Sequence, residues 1–217
     1  MPLQADSVGV SLALALAYLV GSVPWGLVLV RLVKGIDLRT VGSGNIGATN
    51  AMRAAGKPLG LAVFALDFLK GWAAVALCAG MLVGEGPLTP LAAACGAASV
   101  LGHCFPVWLG FRGGKGVATG CGALVAVDPL IWVIGGAVWL VTLALSRWVG
   151  LASIAMGLAF PIAAWWRTGE QGAAPTVGAA LLALLILVRH RSNMRRMLKG
   201  DEPKVFSKPR AAGEKRG

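Results

Sequence analysis

Charge is scarce in this chain. Asp, Glu, Lys and Arg make up 13% of its 217 residues, about half the share in a soluble globular domain. A water-exposed surface of ordinary composition is thereby excluded. Four cysteines, Cys78, Cys95, Cys104 and Cys121, lie in apolar segments without a C-x-x-C pair. They read as small packing residues, not as a metal or disulfide framework. Acids number nine, and neither histidine opens a His-x₄-Asp pair: Trp108 stands five after His103, and Arg195 five after His190. No serine–histidine–carboxylate set stands out among the polar clusters. The opening MPLQADSVGV has no basic stretch before its apolar run, and that run is too long for a cleaved signal, so it reads as a retained first span. No internal repeat and no second domain is visible.

What is abundant is hydrophobicity, at 57% of residues, together with 31 glycines and 8 tryptophans. That combination suits tightly packed membrane helices with interfacial anchors. A crossing helix needs about 20 apolar residues, and candidate segments fall at 7–33, 58–83, 88–109, 116–127, 129–146, 148–166 and 174–188. The fourth is short, bounded by Lys115 and Asp128, and also fits a re-entrant piece. Pro24, Pro106 and Pro161 are expected to kink their helices, and Trp108, Trp148, Trp165 and Trp166 lie near span ends.

The net charge of +11 is uneven, with ten of the twenty Lys and Arg between Arg189 and the end. With seven crossings and the N-terminus outside, Lys34, Arg39, Arg53, Lys57, Arg112, Lys115, Arg147 and that basic end all lie inside. The outer segments then hold Asp6, Glu85, Asp128 and Glu170, with Arg167 the one exposed cation there. If the fourth segment failed to cross, Arg147 and the basic end would have to be translocated. The expectation is an all-α integral membrane protein with seven transmembrane helices, N-terminus outside and C-terminus cytoplasmic. Residues 1–203 form a single transmembrane domain, and 204–217 a basic, disordered cytoplasmic tail.

Residues 42–53, GSGNIGATNAMR, satisfy the G-x-G-x-x-G pattern, and Asp67 lies twenty residues past Gly47. The dinucleotide reading needs a preceding strand and a βαβ unit. Here a membrane helix and a short basic link precede it, so that reading fails. Asp67 falls inside the second span with Lys70 three residues on. A neutralising structural pair and a place on a site wall both fit it. A Walker loop fails as well, because Leu109 stands where its first glycine is required. What remains is anion chemistry by backbone amides, strengthened if a helix starts near Ala48. A plain glycine-rich turn between helices is the competing reading.

Two further stretches favour the anion site. FRGGKGVATG, residues 111–120, again sets paired glycines and a lysine before an apolar helix. RHRSNMRRMLKG, residues 189–200, ends the last span and places His190 and Asn193 on one helix face. All three clusters map to the inner end of one bundle.

Read together, GSGNIGATNAMR, GHCFPVWLGFRGGKGVAT and RHRSNMRRMLKG resemble the three signature regions of the bacterial acyl-phosphate:glycerol-3-phosphate acyltransferases, the PlsY family. The resemblance covers nearly the whole chain, including the LDFLKG of the second helix, and departs mildly at Met194. It implies transfer of a fatty acyl group from acyl phosphate to the 1-hydroxyl of glycerol 3-phosphate, giving lysophosphatidic acid and phosphate. This is the first acylation of bacterial phospholipid biosynthesis, at the cytoplasmic face of the inner membrane. The donor would come from a separate phosphate acyltransferase; membrane lipid is the surrounding partner, and no cofactor, metal or nucleic acid is implied.

By the same resemblance, Ser43, Gly44, Asn45, Gly47, Ala48, Thr49 and Asn50 would cradle acyl phosphate. Arg53, Lys115, Ser153, His190 and Asn193 would hold glycerol 3-phosphate. Ser43, Arg53, Lys115, His190 and Asn193 would carry catalysis. His103 is expected to be a core histidine outside the site. The missing carboxylate base fits a pre-activated mixed anhydride, with the hydroxyl proton passing to a substrate phosphate oxygen and His190 orienting it. A small anion transporter and a membrane-anchored nucleic-acid binder are the rival readings. The first would place its site at the bilayer midplane between repeats, and the second would show steep salt dependence.

Overall fold

The computed structural model describes residues 7–169 and 173–205. Asp6, Glu170 and the tail from residue 206 lie outside them. All the regular structure among the described residues is helical. Pro24 breaks the first apolar run, as its missing N–H and fixed φ dictate: α1 spans Ser7–Ser22 and α2 spans Trp25–Lys34. A glycine-rich loop leads to α3, Ala48–Ala55, and a sharp turn at Gly56 opens α4, Lys57–Ala73, which runs on as a π-helical segment, Ala74–Leu82.

Thr89 caps α5, Pro90–Cys104, by accepting from the Ala92 amide. Pro106 ends the helix, since the residue before a proline is pushed out of the helical region, and a 3₁₀ turn, Val107–Leu109, follows. Then come α6, Val117–Val127, α7, Pro129–Ser146, and α8, Val149–Thr168, which keeps Pro161 in its interior. The last pair is α9, Ala173–Arg189, and α10, Arg191–Leu198, bent by 52° at His190.

Five helical stretches are long and apolar enough to cross a bilayer, or six if the bent α9–α10 pair is one span. The fourth of the seven expected spans, α6, has 11 residues, about 16 Å of rise against a hydrocarbon core of about 30 Å. The far end of α6 nonetheless reaches an end opposite the polar clusters. There Asp128 accepts from the Leu130 amide, capping α7, and pairs with Arg167 Nε at 3.0 Å from the last turn of α8.

Helices in lipid pack by close backbone approach through small residues. Gly21 of α1 faces the Ser99 carbonyl of α5, and Gly122 of α6 faces the Phe68 carbonyl of α4; an added Cβ would stand 2.0 Å and 1.9 Å from those oxygens. Gly122→Ala must therefore push α4 and α6 apart, because the obstacle is backbone. A loss of about 1–3 kcal/mol is expected, read as a lower unfolding midpoint in detergent micelles. The four cysteines are buried and unbridged.

Candidate active site

The loop between α2 and α3 owes its shape to Gly42 and Gly44, at φ 57 and 68, a left-handed conformation costly for residues with a Cβ. Asn50, fully inside the loop, ties it together. Its Nδ2 donates to the Leu38, Val41 and Asn45 carbonyls at 2.8–3.1 Å, and its Oδ1 accepts from the Ser43 amide at 3.0 Å. Asn45 Oδ1 in turn accepts from the Gly47 amide at 2.9 Å. The Asn50 amide is thus committed to the loop, not held out for a ligand. Gly47 caps α3 in an extended conformation without a side-chain cap, so the first amides of α3 carry the positive end of its dipole. One turn on, the exposed Arg53 guanidinium is engaged by no side-chain hydrogen bond or ion pair among the described residues.

Facing this loop is the Gly113–Gly116 backbone. Its amides donate to the end of α5: Gly113 to the Cys104 carbonyl at 3.1 Å and Gly114 to the His103 carbonyl at 3.0 Å. Arg189, ending α9, donates to the Gly113 and Gly114 carbonyls at 2.7–3.0 Å and lies 5.3 Å from the Phe105 ring centroid. Held from both sides, the loop delivers Lys115 to Asn193, whose Oδ1 accepts from Nζ. Asn193 Nδ2 donates to Glu202 Oε1 at 2.6 Å, and Arg196 Nε donates to Glu202 Oε2 at 2.7 Å. Burial lowers the Lys115 pKa most; Glu202 opposes this, while Arg196, Arg53 and Arg189 add to it, leaving the value at about 8.

His190 sits at the α9–α10 bend, buried, with Nδ1 2.8 Å from the Ile186 carbonyl. A carbonyl only accepts, so this contact assigns the proton to Nδ1 and leaves the Nε2 lone pair of the neutral ring available. Ser153, in the second turn of α8, is buried close by.

A single cavity of about 610 Å³ joins these parts. Ser43, Asn45, Gly47, Ala48, Thr49, Asn50, Arg53, Lys115, Ser153, His190 and Asn193 all line it. Gly44 alone of the sequence-predicted set does not; it is exposed and acts as the turn residue. The cavity continues into an apolar arm between α4 and α7, walled by Phe64, Trp132, Val133, Gly136 and Leu140. Trp132 is fixed there edge-on against Phe68, centroids 6.0 Å apart.

Three polar lining residues escaped the sequence reading: His103, Arg196 and Glu202. Asp67 and Lys70 form the expected pair at 2.8 Å, and Asp67 reaches the cavity wall as well. His103, expected outside, lines the cavity because α5 ends one residue beyond it, ahead of Pro106, and the Gly113–Gly114 backbone folds back over its ring. The nearest sequence signal for it was the histidine immediately before CFP.

Residues 11–200 match the model of the family described as glycerol-3-phosphate acyltransferase. The chain is 44% identical to the glycerol-3-phosphate acyltransferase of Anaeromyxobacter dehalogenans (strain 2CP-C), covering 94% of this chain and 100% of that one. It is 43% identical to the enzyme of the same name from Hyphomonas neptunium, covering 94% and 96%. Among solved structures it is similar to PlsY (YgiH), an integral membrane glycerol 3-phosphate acyltransferase, in its glycerol 3-phosphate form, with a TM-score of 0.82, 40% identity, and 90% and 94% of the two chains covered. The lysophosphatidic acid form gives a TM-score of 0.80 at 39% identity over the same shares. A helical bundle with apolar spans, an anion-ready polar pocket opening into an apolar arm, and relatives matched almost end to end lead to one assignment: the chain belongs to the glycerol-3-phosphate acyltransferase family of integral membrane proteins.

Proposed function

We propose that this chain transfers a fatty acyl group from acyl phosphate to the 1-hydroxyl of glycerol 3-phosphate, releasing lysophosphatidic acid and inorganic phosphate. The observation that carries the reading is the continuity of one cavity: cations and amides at one end, an apolar arm at the other. A lipid-tailed anhydride and a small phosphate ester need that combination. Two phosphates about 6 Å apart repel by roughly 3 kcal/mol per unit-charge pair at an effective dielectric near 20. Arg53, Lys115, Arg196 and the α3 amides offset this repulsion.

In the reaction, the glycerol oxygen attacks the acyl carbonyl carbon, the bond from that carbon to the bridging phosphate oxygen breaks, and phosphate leaves with the electron pair. The hydroxyl proton goes to a phosphate oxygen, and His190 Nε2 accepts a hydrogen bond from the hydroxyl to aim it. Ser43 to Asn50 hold the donor's phosphate, with Asn50 shaping that loop from within. Arg53, Lys115, Ser153, His190 and Asn193 hold glycerol 3-phosphate. Orientation of two bound reactants supplies up to roughly 7–11 kcal/mol, so a dedicated carboxylate base is unnecessary.

The setting in this reading is the cytoplasmic face of a bacterial inner membrane, beside a phosphate acyltransferase that makes the donor, in the first acylation of phospholipid synthesis. Seven crossings, N-terminus outside and C-terminus inside, suit the sidedness of the charges, with α6 as a short crossing entered from a recessed Gly113–Gly116 loop. Residues 1–203 form the acyltransferase domain and 204–217 a basic tail. The first tail residues touch the α7–α8 turn: the Val205 amide donates to the Arg147 carbonyl at 2.8 Å.

Purified protein in lipid, given labelled glycerol 3-phosphate with acyl phosphate or acyl-CoA in parallel, should form lysophosphatidate from acyl phosphate alone. Product from acyl-CoA only would move the chain to another donor class.

A further inference from the structure

We infer that His103 is a positioning residue for Lys115, its ring seated on Asp67 and serving as the floor against which Gly114 rests. This rests on the reading that Lys115 holds glycerol 3-phosphate. The backbone around Gly114 is already committed: its amide donates to the His103 carbonyl at 3.0 Å, and its carbonyl accepts from Arg189 Nε and Nη2 at 3.0 and 2.7 Å. Those bonds, with the ones that Gly113 makes to the Cys104 carbonyl and to Arg189, hold the main chain, and the imidazole adds a side-chain wall beneath it. A Cβ on residue 114 would lie 2.0 Å from His103 Nε2 and 2.9 Å from both neighbouring ring carbons, so backbone and ring edge are in direct contact. Lys115, the next residue, inherits its direction from that contact.

The ring is itself enclosed. His103 is buried, and its Nδ1 faces Asp67 Oδ1 at 3.6 Å. Asp67 is paired with Lys70 at 2.8 Å, and Lys70 Nζ donates to the Val23 carbonyl at 2.7 Å. Val23 stands at the break between α1 and α2, and Gly26 of α2 packs under the Ile46 carbonyl of the other anion loop. One buried cluster therefore underlies both loops: Lys70 sets the start of the segment leading to Ser43, and His103 sets the base of Lys115. Loops that must hold two mutually repelling anions gain from a shared rigid footing.

The test is a cycle of His103→Ala, Gly114→Ala and the double variant, run beside Lys115→Met. His103→Ala removes the floor, and Gly114→Ala drives the loop off it; each should raise KM for glycerol 3-phosphate about tenfold, with a smaller change in kcat. In the double variant the methyl group introduced by Gly114→Ala occupies part of the vacated ring volume. Its KM should return to within about threefold of the parent, so the two substitutions couple strongly. A histidine that merely stabilises the bundle would lower active protein and leave KM alone. Should Gly114→Ala fail to accumulate, recovery of both accumulation and KM in the double variant is the supporting result, and His103→Ala carries the KM reading. A double variant no better than Gly114→Ala, or a parental KM in His103→Ala, overturns the inference. An unaltered KM in Lys115→Met overturns instead the role of Lys115 on which it rests.

Discussion

Replacing Lys115 by Met is expected to lower kcat/KM about 10²- to 10³-fold, mostly through KM for glycerol 3-phosphate, because a partly buried cation on a phosphate is lost and Asn193 Oδ1 loses its donor. The pH dependence should carry the signature of the same residue. With its pKa lowered from 10.5 to about 8, Lys115 is protonated below that point and binds a phosphate dianion well. Above it the free enzyme loses the charge, and KM should climb toward about tenfold per pH unit. Lys115→Arg stays charged throughout, so its KM should be flat over this range, at a lower absolute rate. The stability sign is the reverse. Between about 8 and 10.5 the unfolded chain holds a proton that the folded chain has released, so stability rises with pH across that window and the burial cost is fully present below it. A KM that is level through pH 9 in the parent enzyme would remove Lys115 from phosphate binding.

The loops of the site were legible because their chemistry is written in the residues themselves. The glycines around 42–47 imply a turn, Pro24 implies a kink in the first apolar run, and the short Lys115–Asp128 interval implies a short helix; each appears in the fold. Roles that depend on where a side chain is aimed were not legible. Asn50 in a glycine-rich loop reads equally as a ligand donor or as an internal tie, and only its four bonds to the surrounding backbone decide for the tie.

Nothing in the sequence marks Glu202, which stands just inside the domain boundary at 203. It is buried because Gly200, at φ 70, turns the chain back so that the Asp201 amide donates to the Arg196 carbonyl at 2.7 Å. α7 is apolar almost throughout, so nothing in its pattern separates the face lining the arm from the face meeting lipid. His103 belongs to the same class: a histidine ending an apolar helix has one sequence signature whether it is core or wall.

The largest stability effect is expected at Asp67 and Lys70, the pair whose sequence fits both a structural role and a place on the site wall. Asp67→Leu strands the Lys70 ammonium among buried neighbours, and Lys70→Met strands the carboxylate; both residues are buried within 2.8 Å of each other. Removing one partner of such a pair costs about 3–5 kcal/mol, against about 0–1 kcal/mol for an exposed pair. The double variant Asp67→Leu, Lys70→Met leaves no charge to strand and should recover most of that loss. What it does not recover is the bond from Lys70 to the Val23 carbonyl, whose absence leaves a buried acceptor at the α1–α2 break and costs about 1–3 kcal/mol. Chemical unfolding in micelles across the four proteins gives the coupling directly. Single variants losing less than about 1 kcal/mol would mean that water reaches the pair. The double variant also isolates the catalytic consequence, since it folds without the footing beneath both anion loops: its kcat/KM should stay well below the parent's even where its unfolding midpoint does not.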